Sequence, residues 1–440
     1  MARKLFGTDG VRGVAGEFLT AELALSLARA ATLQTQSERP QVLIVRDTRE
    51  SGEMLEAAVA AGVSAAGGDA LLGGVLPTPA APLLIGRYDL DLAVVISASH
   101  NPYRDNGIKF FAGDGYKLSD ESELAIERRL DDLGSAGSAA SIGRIRQLRG
   151  AGEDYLRELH VRFQGLELAG MNILLDCANG ATYEVAPEIF RRLGATVTVL
   201  ADQPDGRNIN AGCGSTHIQA LDEQMLEDSY SVGFAFDGDG DRVLAVDSRG
   251  VVVDGDELLA LATLHLRDAG RLSGNGVAVT VMTNYGFHAA MEREGVAVQS
   301  TKVGDRYVLE ELRARGWTLG GEQSGHLIEM GFNRTGDGIA GALLTLEALA
   351  GRDLSERDAM AKLPQRLVNV RVRDRDALAG AEAVNTAVQA AEQSLAGRGR
   401  VLIRPSGTEP LVRVMVEAPT DQEAQEICEH LVGLVEQELG

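Results

Sequence analysis

Two patterns of apolar and polar positions alternate along the chain. Short unbroken β-branched runs suit strands covered on both faces, and longer stretches with apolar residues every three or four positions suit amphipathic helices. The first segment predicts strands over residues 41–47, 92–97 and 107–111, with a helix over residues 51–67. Ser119 is placed to cap a helix running to about residue 133, whose first turn holds Asp120, Glu121 and Glu123. The small residues 134–140 read as an exposed connection. A second round follows: helix 155–163, strand 172–177, helix 185–193, strand 196–200, then apolar runs at 234–236 and 243–247. A third gives helix 255–265, strand 277–282, helix 287–294, strand 297–301 and helix 307–315. From about Gln365 the order reads strand, helix, strand, helix. The expected architecture is therefore three similar α/β domains with mixed sheets, over residues 1–150, 151–254 and 255–364, followed by a smaller α+β domain over 365–440.

Length supports that division, because 440 residues exceed what one hydrophobic core organises. Charge narrows the choice of partners. With 64 acidic against 42 basic residues and a net charge of −22, the chain lacks the positive face that a phosphate-backbone footprint needs. An anionic ligand must be held by a few focused basic groups, and only five residues are lysines: Lys4, Lys109, Lys117, Lys302 and Lys362. No apolar run approaches the roughly 18 residues of a membrane span, and the opening Met1-Ala2-Arg3-Lys4-Leu5-Phe6-Gly7 lacks the apolar stretch of a signal peptide. Three widely spaced cysteines, Cys177, Cys213 and Cys428, argue against a disulfide framework or zinc site, so a reducing cytoplasm is the expected setting.

Candidate chemistry sits where apolar runs end. Leu92–Ile96 passes directly into Ser97-Ala98-Ser99-His100-Asn101-Pro102, which sets Ser99 at the rim beyond a strand's carboxyl end, where α/β sheets bind ligands. Phe234-Ala235-Phe236 enters Asp237-Gly238-Asp239-Gly240-Asp241-Arg242, whose three carboxylates can turn toward one point and suit a hard divalent cation, magnesium being the plausible one. The EF-hand spacing is absent. Gly320-Gly321-Glu322-Gln323-Ser324-Gly325-His326 offers a carboxylate, a hydroxyl and an imidazole suited to sugar hydroxyls or an amino group. Arg404-Pro405-Ser406-Gly407-Thr408-Glu409-Pro410, with Arg413 behind it, gathers groups that hold phosphate. Gly7-Thr8-Asp9-Gly10-Val11-Arg12 and Gly107-Ile108-Lys109 are weaker signals, each open to reading as a surface turn.

Taken together these loops resemble the α-D-phosphohexomutase family along essentially the whole chain, one main motif per domain and in family order. The resemblance implies four domains around a central cleft. It implies that Ser99 carries a phosphoryl group, that Asp237, Asp239 and Asp241 with Ser99 hold one Mg2+, and that Glu322 and Ser324 contact sugar hydroxyls. It further implies that Arg404, Ser406, Gly407, Thr408 and Arg413 grip the non-reacting phosphate, and that Arg12, Lys109, Arg242 and His326 surround the reacting one. Asp305, in Thr301-Lys302-Val303-Gly304-Asp305-Arg306, stands where the mannose and glucose branches tend to have histidine. With the Ile96-Ser97-Ala98-Ser99 loop and the Leu5–Gly10 opening, it is similar to the branch acting on glucosamine phosphates.

The implied reaction moves a phosphoryl group from phospho-Ser99 to glucosamine 6-phosphate, through a 1,6-bisphosphate, to give glucosamine 1-phosphate. A hexosamine or glucose 1,6-bisphosphate would prime the serine, and the last domain would move as a lid. The general acid and base stay open between Lys109, His326 and another group. The partner expected is a small sugar phosphate, not nucleic acid or membrane, with a homodimer left open. The alternatives are a phosphomannomutase or phosphoglucomutase, and a catalytically silent sugar-phosphate-binding protein.

Overall fold

The computed structural model describes residues 4–7, 9–132, 141–406 and 410–440. By contact density the chain forms two compact units, one of Met1–Met282 with Gln299–Arg357 and one of Thr283–Val298 with Asp358–Gly440.

Three mixed sheets follow one another in the first unit. The first contains β1 (Val11–Val14), β2 (Gln41–Arg46), β3 (Asp69–Val75), β4 (Leu92–Ile96), β5 (Asp105–Ala112) and β6 (Ile145–Gln147), in the order β1-β5-β4-β2-β3-β6. The second contains β7 (Asn172–Asp176), β8 (Thr196–Leu200), β9 (Val232–Phe236), β10 (Val243–Asp247) and β11 (Val252–Val253), in the order β11-β10-β9-β7-β8. The third is β12 (Gly276–Thr280), β13 (Ala297–Thr301), β14 (Leu319–Gly321) and β15 (Leu327–Glu329), in the order β13-β12-β14-β15.

One device recurs in all three. β4 runs parallel to β2 but turns into antiparallel β5; β9 runs parallel to β7 but turns into antiparallel β10; β14 runs parallel to β12 but turns into antiparallel β15. Each turn leaves from the carboxyl end of a parallel strand, and these turns carry Ser99, Asp237–Arg242 and Glu322–His326 respectively. The strands feeding them are buried throughout, Leu92–Ile96 and Val232–Phe236 being at most 3% exposed outside glycine. That explains their unbroken apolar runs: helices cover both faces, so no position alternates toward water.

Helix starts follow local chemistry. Asp254 and Glu257 form a reciprocal capping box at the start of Gly255–Asp268, and the Ser119 hydroxyl accepts the Ser122 N–H (3.2 Å) at the start of Asp120–Asp132. The expected connection 134–140 lies outside the described residues. The helix Gly338–Leu349 had no clear amphipathic signal because it is apolar nearly all round, and it is buried accordingly.

The second unit corrects the expected order of the last segment. Its sheet, β16-β18-β17, comprises β16 (Gln365–Arg371), β17 (Arg400–Pro405) and β18 (Leu411–Glu417), with helices Glu382–Leu395 and Asp421–Leu439. The order is strand, helix, strand, strand, helix. The expected order lacks β18, which pairs antiparallel with β17. Within this unit the fully buried Glu417 accepts from Tyr285 N (2.8 Å), Gln365 Nε2 (2.8 Å) and Arg400 Nε (2.8 Å), which joins the helix Tyr285–Arg293 to the C-terminal sheet. The three cysteines are buried and free, and no helix among the described residues is long and apolar enough to cross a membrane.

Candidate active site

The three strand-end turns of the first unit, with the loop before β1, border a cavity of about 520 Å³ whose walls include Ser99, Asp241, Arg242, Asp305, Glu322 and His326. Arg12 and Ser324 also face it. At its base Ser99 is 1% exposed and its hydroxyl donates to Asp237 Oδ2 at 2.6 Å. His100 Nδ1 lies 3.2 Å from the Ser99 hydroxyl oxygen. Burial, then the nearby Arg242 and Arg12, lower the His100 pKa to about 4, so that ring is neutral near pH 7.

Asp237, Asp239 and Asp241 are all buried, with carboxylate oxygens within 4.8 Å of one another. Burial and then repulsion from Asp241 and Asp239 push Asp237 well above the carboxylate range. Asp239 is held the other way: burial opposes ionisation, but the Lys109 ammonium at 2.8 Å and the Thr78 hydroxyl at 2.6 Å keep it charged. The Oδ1 atoms of Asp239 and Asp241 are buried without a hydrogen-bond partner. Three crowded carboxylates with uncommitted oxygens are the donor set of a hard divalent cation, which would relieve their mutual repulsion.

A chain of alternating charge surrounds the cluster. Lys109, 1% exposed, reaches Asp239 and Asp9 (2.9 Å); Lys117 reaches Asp9 (2.6 Å) and Asp305. Burial lowers the pKa of both lysines, but Asp239 and Asp9 hold Lys109, and Asp305 and Asp9 hold Lys117, above the ordinary value. His326 sits between Asp241 (3.6 Å) and Asp305 (3.7 Å), which outweigh burial and favour its protonation. Its Nε2 accepts the Gly336 N–H at 3.0 Å, so a second proton would displace that bond. Arg242 donates its backbone N–H to Asp237 (3.2 Å), and its buried Nε has no hydrogen-bond partner. Glu322 accepts from Gly304 N (3.0 Å).

Of the residues singled out in the sequence, Ser99, Arg12, Lys109, Asp237, Asp239, Asp241, Arg242, Glu322, Ser324 and His326 converge in and around this one cavity. The second unit presents Arg404 and Arg413 as directly opposed residues of β17 and β18. Burial, then Arg413, lowers the Arg404 pKa, and Arg413 Nε is buried without a partner. Ser406 is buried at the hairpin bend, while Gly407 and Thr408 lie outside the described residues. Sequence reading missed Asp47, Arg49 and Asn210, which hold the Ser99 loop, and Lys117. The signal for the first two was there: Asp47-Thr48-Arg49-Glu50-Ser51 is a polar burst at the carboxyl end of β2, which pairs with β4.

Comparison with known proteins agrees with this architecture. Four domain signatures described as phosphoglucomutase/phosphomannomutase match in order: alpha/beta/alpha domain I over residues 3–136, domain II over 153–250, domain III over 254–367 and the C-terminal domain over 367–434. The chain belongs to the phosphoglucomutase/phosphomannomutase family. It is 51% identical over 432 residues to the phosphoglucosamine mutase of Moorella thermoacetica, covering 96% of this chain and 97% of that one. With the phosphoglucosamine mutase of Rhodococcus jostii it shares 49% identity over 441 residues, 98% and 99% of the two chains. Among solved structures, a phosphoglucomutase/phosphomannomutase family protein of Burkholderia thailandensis shares the fold with a TM-score of 0.81 at 22% identity, covering 98% of this chain and 97% of that one. The N-acetylphosphoglucosamine mutase of Aspergillus fumigatus, solved with GlcNAc-6P and magnesium, gives 0.67 at 18% identity over 99% and 96%.

Proposed function

We propose that the chain interconverts glucosamine 6-phosphate and glucosamine 1-phosphate through a phosphorylated Ser99. The observation that carries this reading is the Ser99 hydroxyl 2.6 Å from Asp237 within a buried cluster of three carboxylates, at the base of a cavity edged by arginines. Near-full-length identity of about half to phosphoglucosamine mutases selects the amino sugar over glucose and mannose.

In this reading the sugar O1 attacks the phosphorus of phospho-Ser99, the bond from phosphorus to the serine oxygen breaks, and a 1,6-bisphosphate forms. The bisphosphate then returns its 6-phosphoryl group to Ser99, leaving glucosamine 1-phosphate. Phosphoryl transfer asks mainly for alignment and neutralisation of charge on the equatorial oxygens. Asp237, Asp239 and Asp241, with Ser99, would hold Mg2+, which supplies Lewis-acid neutralisation there. Arg12 and Arg242 face the same region, and Lys109, kept protonated by Asp239 and Asp9, acts as a fixed positive charge. His326 lines the same cavity, its Nε2 accepting the Gly336 N–H and its Nδ1 turned to Asp241 at 3.6 Å. Glu322 and Ser324 would take the sugar's polar edge. In the C-terminal domain, Arg404, Ser406, Gly407, Thr408 and Arg413 would bind a phosphate. A hexosamine or glucose 1,6-bisphosphate would prime Ser99, and free buried cysteines suit a cytoplasmic setting.

The test is a comparison of initial rates on glucosamine, glucose and mannose 6-phosphates with Mg2+ and a bisphosphate primer, using the wild type and Ser99→Ala. Preference for the glucosamine ester and loss of turnover in Ser99→Ala are expected. Full activity in Ser99→Ala would sink the scheme.

A further inference from the structure

Ser99 has a backbone conformation that serine seldom adopts, with φ at +53° in the left-handed region. Something outside the residue must hold it there, and the carbonyl of Ser99 shows what does. It accepts from Arg49 NH2 at 2.8 Å and from Asn210 Nδ2 at 2.9 Å.

Arg49 is fully buried, and all five of its N–H donors are spent. Nε donates to Asp47 Oδ2 (2.8 Å), and the remaining donors go to the carbonyls of Ser99, Asn101 (2.9 Å), Asp105 (2.9 Å) and Pro102. One guanidinium thus ties three carbonyls of the loop between β4 and β5 and that of Asp105 at the start of β5. Asp47 Oδ2 also accepts the Ser97 hydroxyl (2.6 Å), whose oxygen in turn accepts the Ser99 N–H (2.9 Å). Both main-chain groups of Ser99 are therefore anchored to the segment that follows β2.

The same segment is fastened to the domain bearing the carboxylate cluster. Thr48 donates to the Asn179 carbonyl (2.6 Å), Glu50 N–H to the Gly206 carbonyl (2.9 Å), and Arg207 Nε to Glu50 (2.6 Å). Asn210, itself left-handed at φ +57°, donates its backbone N–H to Ala178 and its side chain to Ser99 and Asn101.

We propose that Arg49 and Asn210 are positioning residues for phosphoryl transfer: together they fix the Ser99 backbone in register with Asp237, one from each domain. Neither touches the reacting atoms. Lysine at position 49 has three donors on a single nitrogen and cannot span four carbonyls and a carboxylate, so Arg49→Lys loosens the loop while keeping the buried charge. Asn210→Ala removes the tie from the other domain.

This inference rests on Ser99 being the phosphoryl carrier, and the experiment separates the two. Phosphoryl uptake by Ser99 from glucose 1,6-bisphosphate with Mg2+ is followed by intact mass in a single turnover, beside steady-state kcat and KM, all per folded molecule from the thermal transition. Expected for Arg49→Lys are a fall of about 100-fold in kcat and a matching fall in phosphoryl uptake, with KM within about threefold. Asn210→Ala should lose about tenfold in both with KM unchanged, and it carries the test alone if Arg49→Lys does not fold. Folded variants that match the wild type in kcat and uptake, or that change KM alone, would overturn the positioning role. A wild type that takes up no phosphoryl group would instead overturn the reading of Ser99.

Discussion

Gly238, between the first two carboxylates of the cluster, turns the register of Ser99 into a measurable quantity. A Cβ built there lies 2.6 Å from the Ser99 carbonyl oxygen, 2.6 Å from Asn210 Nδ2 and 2.9 Å from Ile209 Cδ1. The backbone of Gly238 is outside the left-handed region, so the cost of Gly238→Ala is one of space. Ordinary contact begins near 3.4 Å. The carbonyl must therefore retreat by about 0.8 Å, and misplacement on the order of 1 Å costs up to about 100-fold in rate. The carbonyl cannot yield cheaply, because Arg49 and Asn210 both hold it. We expect kcat for glucosamine 6-phosphate to fall between about 10- and 100-fold in Gly238→Ala, with KM within about threefold. Initial rates over a substrate series with saturating Mg2+ and bisphosphate measure both. A kcat within about threefold of the wild type in a folded variant would refute the reasoning that loop spacing sets the rate.

Other consequences are open to simpler measurements. Because three buried carboxylates repel one another, Mg2+ should stabilise the wild type by about 2.7 kcal/mol at 100 times Kd and so raise its thermal transition, and Asp241→Asn should abolish the response. Lys117→Ala leaves Asp9 and Asp305 without their shared cation, and denaturant unfolding should register a loss of about 3 kcal/mol. Burial pushes Asp337, which accepts the Tyr155 hydroxyl at 3.0 Å, up to about 6 from 3.8. The folded state then favours the neutral acid, so this contribution is complete below the unfolded pKa and is lost as pH rises through about 6. The loss is on the order of 3 kcal/mol. Asp337→Asn should flatten the dependence of the thermal transition on pH between about 4 and 7; an unchanged slope would refute the assignment.

What could be read in the sequence was whatever announces itself locally. The runs Leu92–Ile96 and Val232–Phe236 are apolar because both faces are covered, and the turn residues after them mark where the chain leaves the sheet, so Ser99 and Asp237–Arg242 stood out. The buried helix Gly338–Leu349 was less legible because it is apolar nearly all round, whereas the strand Leu411–Glu417 does carry the alternation of Val412, Val414 and Val416 between Pro410 and Pro419. Arg49 illustrates the harder case. Apart from Asp47, its partners lie about fifty positions away and are backbone carbonyls, which carry no side-chain signature. Lys117 was likewise invisible as a bridge, because its two carboxylates come from opposite directions along the chain, 108 and 188 residues distant.

The central claim is that Ser99 shuttles the phosphoryl group. It is tested most directly by loading the protein from glucose 1,6-bisphosphate with Mg2+, mapping the phosphoryl group by peptide mass, and then adding glucosamine 6-phosphate. The account predicts a single phosphoryl group on Ser99 that is discharged by the sugar phosphate as hexosamine bisphosphate and glucosamine 1-phosphate form. A phosphoryl group on another residue, or turnover that leaves Ser99 unmodified throughout, would contradict it.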